Sequence, residues 1–199
     1  MSLGCFDVGE KRMDTIMQPF ITVVMPNYNG HRFVEQAIDS VLSQTYQFFE
    51  LLVVDDCSKD DSLQLITRKA QNDKRIRIIA LEKNAGVANA RNVGIREAKG
   101  KYIALLDNDD LWTEDKLERQ LALAGNDPDI VYCSYDFIDE QNNPIKKPFI
   151  VPQETNFNKM LASSVISCST SFIKTELMQA HPFNSDFYHE DYVLWMELL

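Results

Sequence analysis

Apolar and polar positions follow two different periods along this chain, and the switches between them mark its elements. The β-branched, apolar run from Phe20 to Met25 predicts a buried strand, closed by the turn cluster Pro26-Asn-Tyr-Asn-Gly30. From His31 to Gln44 the apolar residues Phe33, Val34, Ala37, Ile38, Val41 and Leu42 recur at helical spacing. Phe49 to Val54 predicts a second strand, ended by Asp55-Asp-Cys-Ser-Lys-Asp-Asp61, and Ser62 to Ala70 a helix. Ile76 to Ala80 predicts a third strand, Asn84-Ala-Gly86 a turn, Val87 to Ala98 a helix, and Tyr102 to Leu106 a fourth strand.

Strands alternating with helices of this length imply an α/β fold with a central, mostly parallel, Rossmann-like sheet flanked by helices. In such sheets ligands bind beyond the C-terminal strand ends. That rule gathers Pro26–Gly30, Asp55–Asp61 and Asp107–Asp110 on one rim, although sequence distance separates them. No G-x-G-x-x-G follows the first strand and the chain holds only 7 glycines, so a nucleotide would be held differently from a dinucleotide in the usual fold.

The second half changes character. Thr113 caps a helix that runs to about Ala124, and Ile130 to Ile138 predicts a strand. A hairpin tip at Asp139–Pro144 leads into Ile145–Val151, so antiparallel structure is added here. A short helix at Asn156–Ala162, a strand at Ser164–Ile173 and a helix at Lys174–Ala180 follow. A helix from Glu190 reaches Leu199 in mid-pattern. Residues 1–18 lack a period and are expected to be a flexible tail. Residues 19–199 are expected to be one domain that is truncated at its C-terminal end.

The chemistry concentrates where the fourth strand ends. Tyr102 to Leu106 breaks into Asp107, Asp109 and Asp110 within four residues. One reading is a solvated turn capping the next helix. The other is a divalent-cation site, since Mg²⁺ and Mn²⁺ take oxygen ligands, often one or two carboxylates plus substrate phosphates. An EF-hand starting at Asp107 is excluded, because its sixth position would be Trp112 where the loop needs glycine. The net charge of −10 argues against a nucleic-acid partner. Four cysteines without a C-x-x-C pair are expected to be free thiols in a cytoplasmic protein. The longest apolar runs fall short of the roughly 18–20 residues that span a bilayer, and no apolar signal core is seen.

Taken together, Pro26-Asn-Tyr-Asn29, Val53-Val-Asp-Asp-Cys-Ser-Lys-Asp60, Asn84-Ala-Gly86 with Ala90-Arg-Asn-Val-Gly94, Leu106-Asp-Asn-Asp-Asp110 and His189-Glu-Asp191 resemble the family 2 glycosyltransferases. That family has the GT-A fold, uses nucleotide-sugar donors and inverts the transferred sugar. The resemblance implies that Asp109 ligates Mg²⁺ or Mn²⁺, with Asp107 at the ribose or the metal. It implies that Asp56 accepts from the base, with Asp55 as the next candidate. Pro26 and Tyr28 would shape the donor pocket, with Asn29, Asn84 and Asn108 beside it, and Arg91 would bring positive charge. Asp191 would be the base that takes the acceptor's proton, with Glu190 as its substitute. His181 and His189 are alternative metal ligands, each weighed against a plain structural role. The family usually has glycine where Cys57 stands. The resemblance further implies a UDP-sugar donor, a glycan or lipid-linked acceptor and peripheral contact with the inner face of the membrane. Two other functions fit parts of the pattern. One is a sugar nucleotidyltransferase, although it would want a basic, Gly-rich loop after the first strand. The other is a non-catalytic nucleotide- or glycan-binding module.

Overall fold

The computed structural model describes residues 19–199, so the expected tail lies outside the described residues. In chain order the elements are β1 (Ile21–Asn27), α1 (Val34–Leu42), β2 (Phe49–Asp55), α2 (Ser62–Asn72), β3 (Ile76–Ala80), α3 (Val87–Glu97) and β4 (Tyr102–Leu105). They continue with α4 (Lys116–Ala124), β5 (Ile130–Val131), α5 (Phe157–Ala162), β6 (Phe172–Lys174), α6 (Thr175–Ala180) and α7 (Glu190–Leu198). One sheet of 6 strands runs β3-β2-β1-β4-β6-β5. β1, β2, β3 and β4 are mutually parallel, while β6 is antiparallel to both β4 and β5. The expected parallel sheet with an antiparallel addition is therefore present.

β1 and β2 are buried along their whole length because helices cover both faces of the sheet. Alternate residues of β1 feed different cores. Val23 and Met25 join Ile38, Val41, Ile66 and Leu117 on the face of α1, α2 and α4. Val24 joins Ile95, Met178, Leu194 and Trp195 on the face of α3, α6 and α7. Each fully buried aliphatic side chain contributes about 1.5–3 kcal/mol, so these two layers fix the strand order. Gly100 marks a close crossing: a Cβ there would lie 2.5 Å from the Thr22 nitrogen and 2.7 Å from the Ile21 carbonyl carbon. The chain can enter β4 beside β1 only without a side chain at this point.

Three elements depart from expectation for reasons that local contacts explain. Helix α4 starts at Lys116, not Thr113, because Gln44 meets its first turn: Leu117 N donates to Gln44 Oε1 at 2.9 Å. Thr113 Oγ1 instead donates to Asp115 Oδ1 at 3.0 Å. The strand expected over Ile130 to Ile138 is regular only at β5. Beyond it, isolated bridges join Tyr135 to Phe149 and Ile138 to Pro144. The returning segment carries Pro144, Pro148 and Pro152, which have no N–H to give a ladder. Ser164 to Ile173 contains a 3-10 turn at Cys168–Thr170 before β6. Its hydroxyls compete with strand pairing: Thr170 Oγ1 donates to Ser167 O at 2.8 Å and Ser171 Oγ to Cys168 O at 2.7 Å.

Candidate active site

The strand order reverses between β2-β1 and β1-β4, which places a crevice outside the carboxyl ends of β1 and β4. A cavity of about 370 Å³ occupies it. Pro26, Asn27 and Tyr28 come from the end of β1, and Asp56, Asn84 and Gly86 from the loops after β2 and β3. α3 contributes Arg91, and the acidic turn after β4 contributes Asp107, Asn108 and Asp109.

The sequence reading passed over Asn27, which organises the rim. It is 1% exposed. Its Nδ2 donates to Asp55 Oδ1 at 2.7 Å and lies 3.0 Å from Ser62 Oγ. Its Oδ1 accepts from Asn108 Nδ2 at 2.8 Å, tying the end of β1 to the acidic turn. The signal available was an asparagine closing a central, wholly buried strand, where a buried amide demands partners. Gly30 permits this junction, since a Cβ there would sit 2.3 Å from both amide groups.

Asp56 is 2% exposed and accepts from Ala85 N at 2.9 Å and Gly86 N at 2.8 Å. It clamps the loop that begins α3, and it still lines the cavity. Asp55 accepts from Ser58 N at 3.0 Å and from Asn27, so it closes its own turn and does not line the cavity. Asn29 sits at φ 52 and its Oδ1 accepts from Lys59 N at 2.7 Å, again outside the lining. Cys57 has φ 61, a left-handed conformation that explains why glycine suits this position.

Arg91 is 5% exposed and bridges two carboxylates. It donates from Nη2 to Asp107 Oδ1 at 2.6 Å and from Nη1 to Glu190 Oε1 at 2.7 Å. Its ring neighbour is Phe183, 5.3 Å below the guanidinium. Burial works against the charge, and the acidic neighbours more than offset it. Thus α7 is joined to this cavity through Glu190, which is committed to Arg91. Asp191, next along the first turn of α7, is half-buried; its Oδ1 accepts from Tyr192 N at 2.8 Å. The Cys168 thiol lies among these groups. Burial pushes its pKa well up; the Arg91 charge opposes this, and the charges of Asp107, Asp191 and Glu190 add to it.

The acidic turn is held from behind. Asp107 N donates to Ser169 Oγ at 3.0 Å and Trp112 Nε1 to Ser169 O at 2.8 Å. Ser169 leaves no signal in the sequence, because it falls inside the strand expected over Ser164–Ile173. Partial burial between the cavity walls raises the pKa of Asp109, and the Asp107 charge raises it further. Asp110 is raised by burial and by both neighbouring carboxylates, against a hydrogen bond from Ser169. Among the described residues no group of three His, Cys, Asp or Glu side chains is arranged to hold a metal alone. Asp107 and Asp109 nevertheless fit a hard divalent cation completed by donor phosphates, since such a cation would relieve the repulsion they carry. The two histidines stand apart: His181 Nδ1 lies 3.0 Å from Leu177 O, and His189 is exposed against Tyr188.

The sequence model described as glycosyl transferase family 2 matches residues 22–181. The chain is 38% identical over 181 residues to the Escherichia coli UDP-Glc:alpha-D-GlcNAc-diphosphoundecaprenol beta-1,3-glucosyltransferase WfgD, covering 90% of this chain and 69% of that protein. It is 31% identical to the putative teichuronic acid biosynthesis glycosyltransferase TuaG of Bacillus subtilis, covering 93% and 74%. Among solved structures, S. aureus TarS 1-349 superposes with a TM-score of 0.70 at 25% identity, covering 87% of this chain and 53% of that one. The mannosyltransferase PcManGT from Pyrobaculum calidifontis, solved with GDP-Man and Mn²⁺, shares the fold at a TM-score of 0.69 and 21% identity, covering 90% and 51%. The chain therefore spans about half the length of these solved chains. Its sheet order, its rim of asparagine and aspartate, and these matches agree: the chain belongs to glycosyl transferase family 2, whose members are enzymes.

Proposed function

We propose that this chain transfers a sugar from a nucleoside-diphosphate donor to an acceptor hydroxyl, with inversion at the anomeric carbon and with help from a divalent cation. The observation that carries the reading is the single cavity in which Asp56, Asn84, Arg91, Asp107 and Asp109 meet, coupled through Arg91 to Glu190 of α7. Tyr28 and Asp56 hold the base, the latter through lone pairs left over from its loop contacts. Asn84 and Asn108 border the ribose and phosphates. Arg91 would bring positive charge to the diphosphate, and Asp109 and Asp107 would hold the divalent cation. A bound Mg²⁺ or Mn²⁺ supplies Lewis-acid stabilisation of the charge that grows on the departing diphosphate.

Asp191 takes the acceptor hydroxyl proton as its oxygen attacks the anomeric carbon from the face opposite the diphosphate. Glu190 is occupied by Arg91, whereas Asp191 forms no ion pair among the described residues, so Asp191 is the better base. The donor is a UDP-sugar, in keeping with the name of the 38% identical relative. The acceptor is lipid-linked, as that name also states for the relative. No helix among the described residues is long and apolar enough to cross a membrane. The enzyme would meet such an acceptor by peripheral contact with the inner membrane face.

Titration calorimetry with UDP and GDP, each with and without Mn²⁺, tests the donor site. Tight UDP binding that depends on Mn²⁺ supports the reading; no nucleotide binding under any condition refutes it. Transfer with inversion is read from the anomeric configuration of the product by NMR.

A further inference from the structure

Glu190 is buried in the first turn of α7 but does not line the cavity of about 370 Å³, so it acts on that space only through another residue. A buried carboxylate needs a partner, and Glu190 finds it in Arg91 at 2.7 Å. Arg91 does line the cavity, and its second ion pair is with Asp107 at 2.6 Å. Arg91 Nε finds no acceptor among the described residues, and burial keeps the neighbouring Cys168 thiol protonated. One positive charge is therefore divided between two carboxylates, one lining the cavity and one behind it. The guanidinium is fixed in that place. It lies 5.3 Å from the centre of the Phe183 ring, and the Asn92 side chain exchanges two 2.8 Å bonds with the Phe183 backbone.

Building on the transferase reading, on which this inference rests, we propose that Glu190 is a positioning residue that makes nucleotide capture depend on the divalent cation. It holds Arg91 from behind and takes up part of its charge. Asp107 is then only partly neutralised and keeps its attraction for a cation. A diphosphate in the cavity meets a guanidinium already engaged on two sides, and needs the cation as well. Without the Glu190 charge both balances tip. Arg91 competes harder with the cation for Asp107, and it draws the diphosphate unaided. This role differs from that of a base, which must take a proton. It differs equally from that of an acid at a helix start, which acts on the helix dipole and needs no buried partner.

The full chain is compared with Glu190→Gln and Glu190→Asp in two binding measurements. One is calorimetric titration with UDP in the presence of a metal chelator. The other is Mn²⁺ affinity at saturating UDP, read from the paramagnetic signal of the free ion. Glu190→Gln keeps the side-chain shape and an acceptor for Arg91 but loses the charge. It should bind UDP about threefold tighter than the parent without metal, and Mn²⁺ about tenfold more weakly. Glu190→Asp keeps the charge and should return most of both shifts. Opposite signs are the signature, because damage to a merely structural clamp lowers both affinities together. Both affinities falling in Glu190→Gln, neither of them moving, or Glu190→Asp matching Glu190→Gln overturns the proposal and leaves the transferase reading standing. A parent chain that binds no UDP with or without Mn²⁺ sinks the transferase reading and this inference with it, before any variant is compared.

Discussion

β1 and β2 run for seven residues each without an exposed position, whereas β5 and β6 have two and three residues. The parallel half is held by continuous apolar packing on two faces, and its strand ends carry the cavity proposed for the donor. The antiparallel half is held by side chains that reach across it. Gln120 Nε2 donates to Thr170 O at 2.8 Å, Trp112 Nε1 to Ser169 O, and Asn92 exchanges two 2.8 Å bonds with the backbone of Phe183. The difference teaches that this fold separates a stiff shelf, where the proposed donor site lies, from a polar, irregular wall that aims α7. Substitutions in the two halves should therefore fail in different ways.

The largest effect is expected in the irregular half. Asp191→Asn should lower turnover by about 10²–10⁴-fold, the usual range for losing a general base, while calorimetry finds UDP affinity unchanged. Near-normal turnover would remove Asp191 from the mechanism. On the shelf side, Asp109→Asn should cost about a hundredfold in Mn²⁺-dependent UDP affinity with the circular dichroism spectrum intact; an unchanged Mn²⁺ dependence would place the cation elsewhere. Gly100→Ala should destabilise the parallel half by about 2–3 kcal/mol through its clash with β1, read as a lower urea midpoint with donor and acceptor functions lost together. Asn92→Ala should cost about 1–2 kcal/mol through the lost Phe183 bonds. Here the two halves should come apart, with transfer impaired and UDP affinity kept. If UDP affinity falls in step with turnover, the halves are one unit and the comparison fails.

The smallest effect concerns Asp110. Its native pKa is raised above the unfolded value of 3.8, so its contribution to stability is present below that pH and lost as pH rises through the native pKa. At neutral pH the charged carboxylate therefore opposes folding. Asp110→Asn should raise the melting temperature of the metal-free protein by roughly a degree or two, a small shift because solvent screens the group, and the gain should vanish near pH 3.

Legibility in the sequence follows the same division. The apolar runs of β1, β2 and β4 and the helical spacing of α1 announce themselves because burial on two faces leaves no other pattern. The rim could be placed from the strand-end rule, and Asp109, Asp107, Arg91 and Asp56 do share one cavity. What escaped was held by partners distant in the chain. Nothing near Asn27 shows that it will meet Asn108, and nothing near Ser169 shows that it will support Asp107. The engagement of Glu190 with Arg91 spans 99 positions. Serine and proline obscured the second half for a local reason. Hydroxyls at Ser167 to Ser171 and prolines at Pro144 to Pro152 break ladders that the apolar residues alone suggest.

The clamp that Asp56 makes on Ala85 and Gly86, with its own N–H held by the Asn27 carbonyl, has a consequence for how the proposed nucleotide would be captured. The berth is framed before its occupant arrives, so little chain entropy is surrendered on docking and capture can proceed at the pace of diffusion. Crystals grown without nucleotide should then tolerate soaking, and an inhibitor drawn to the ligand-free outline of these loops should still fit when it binds.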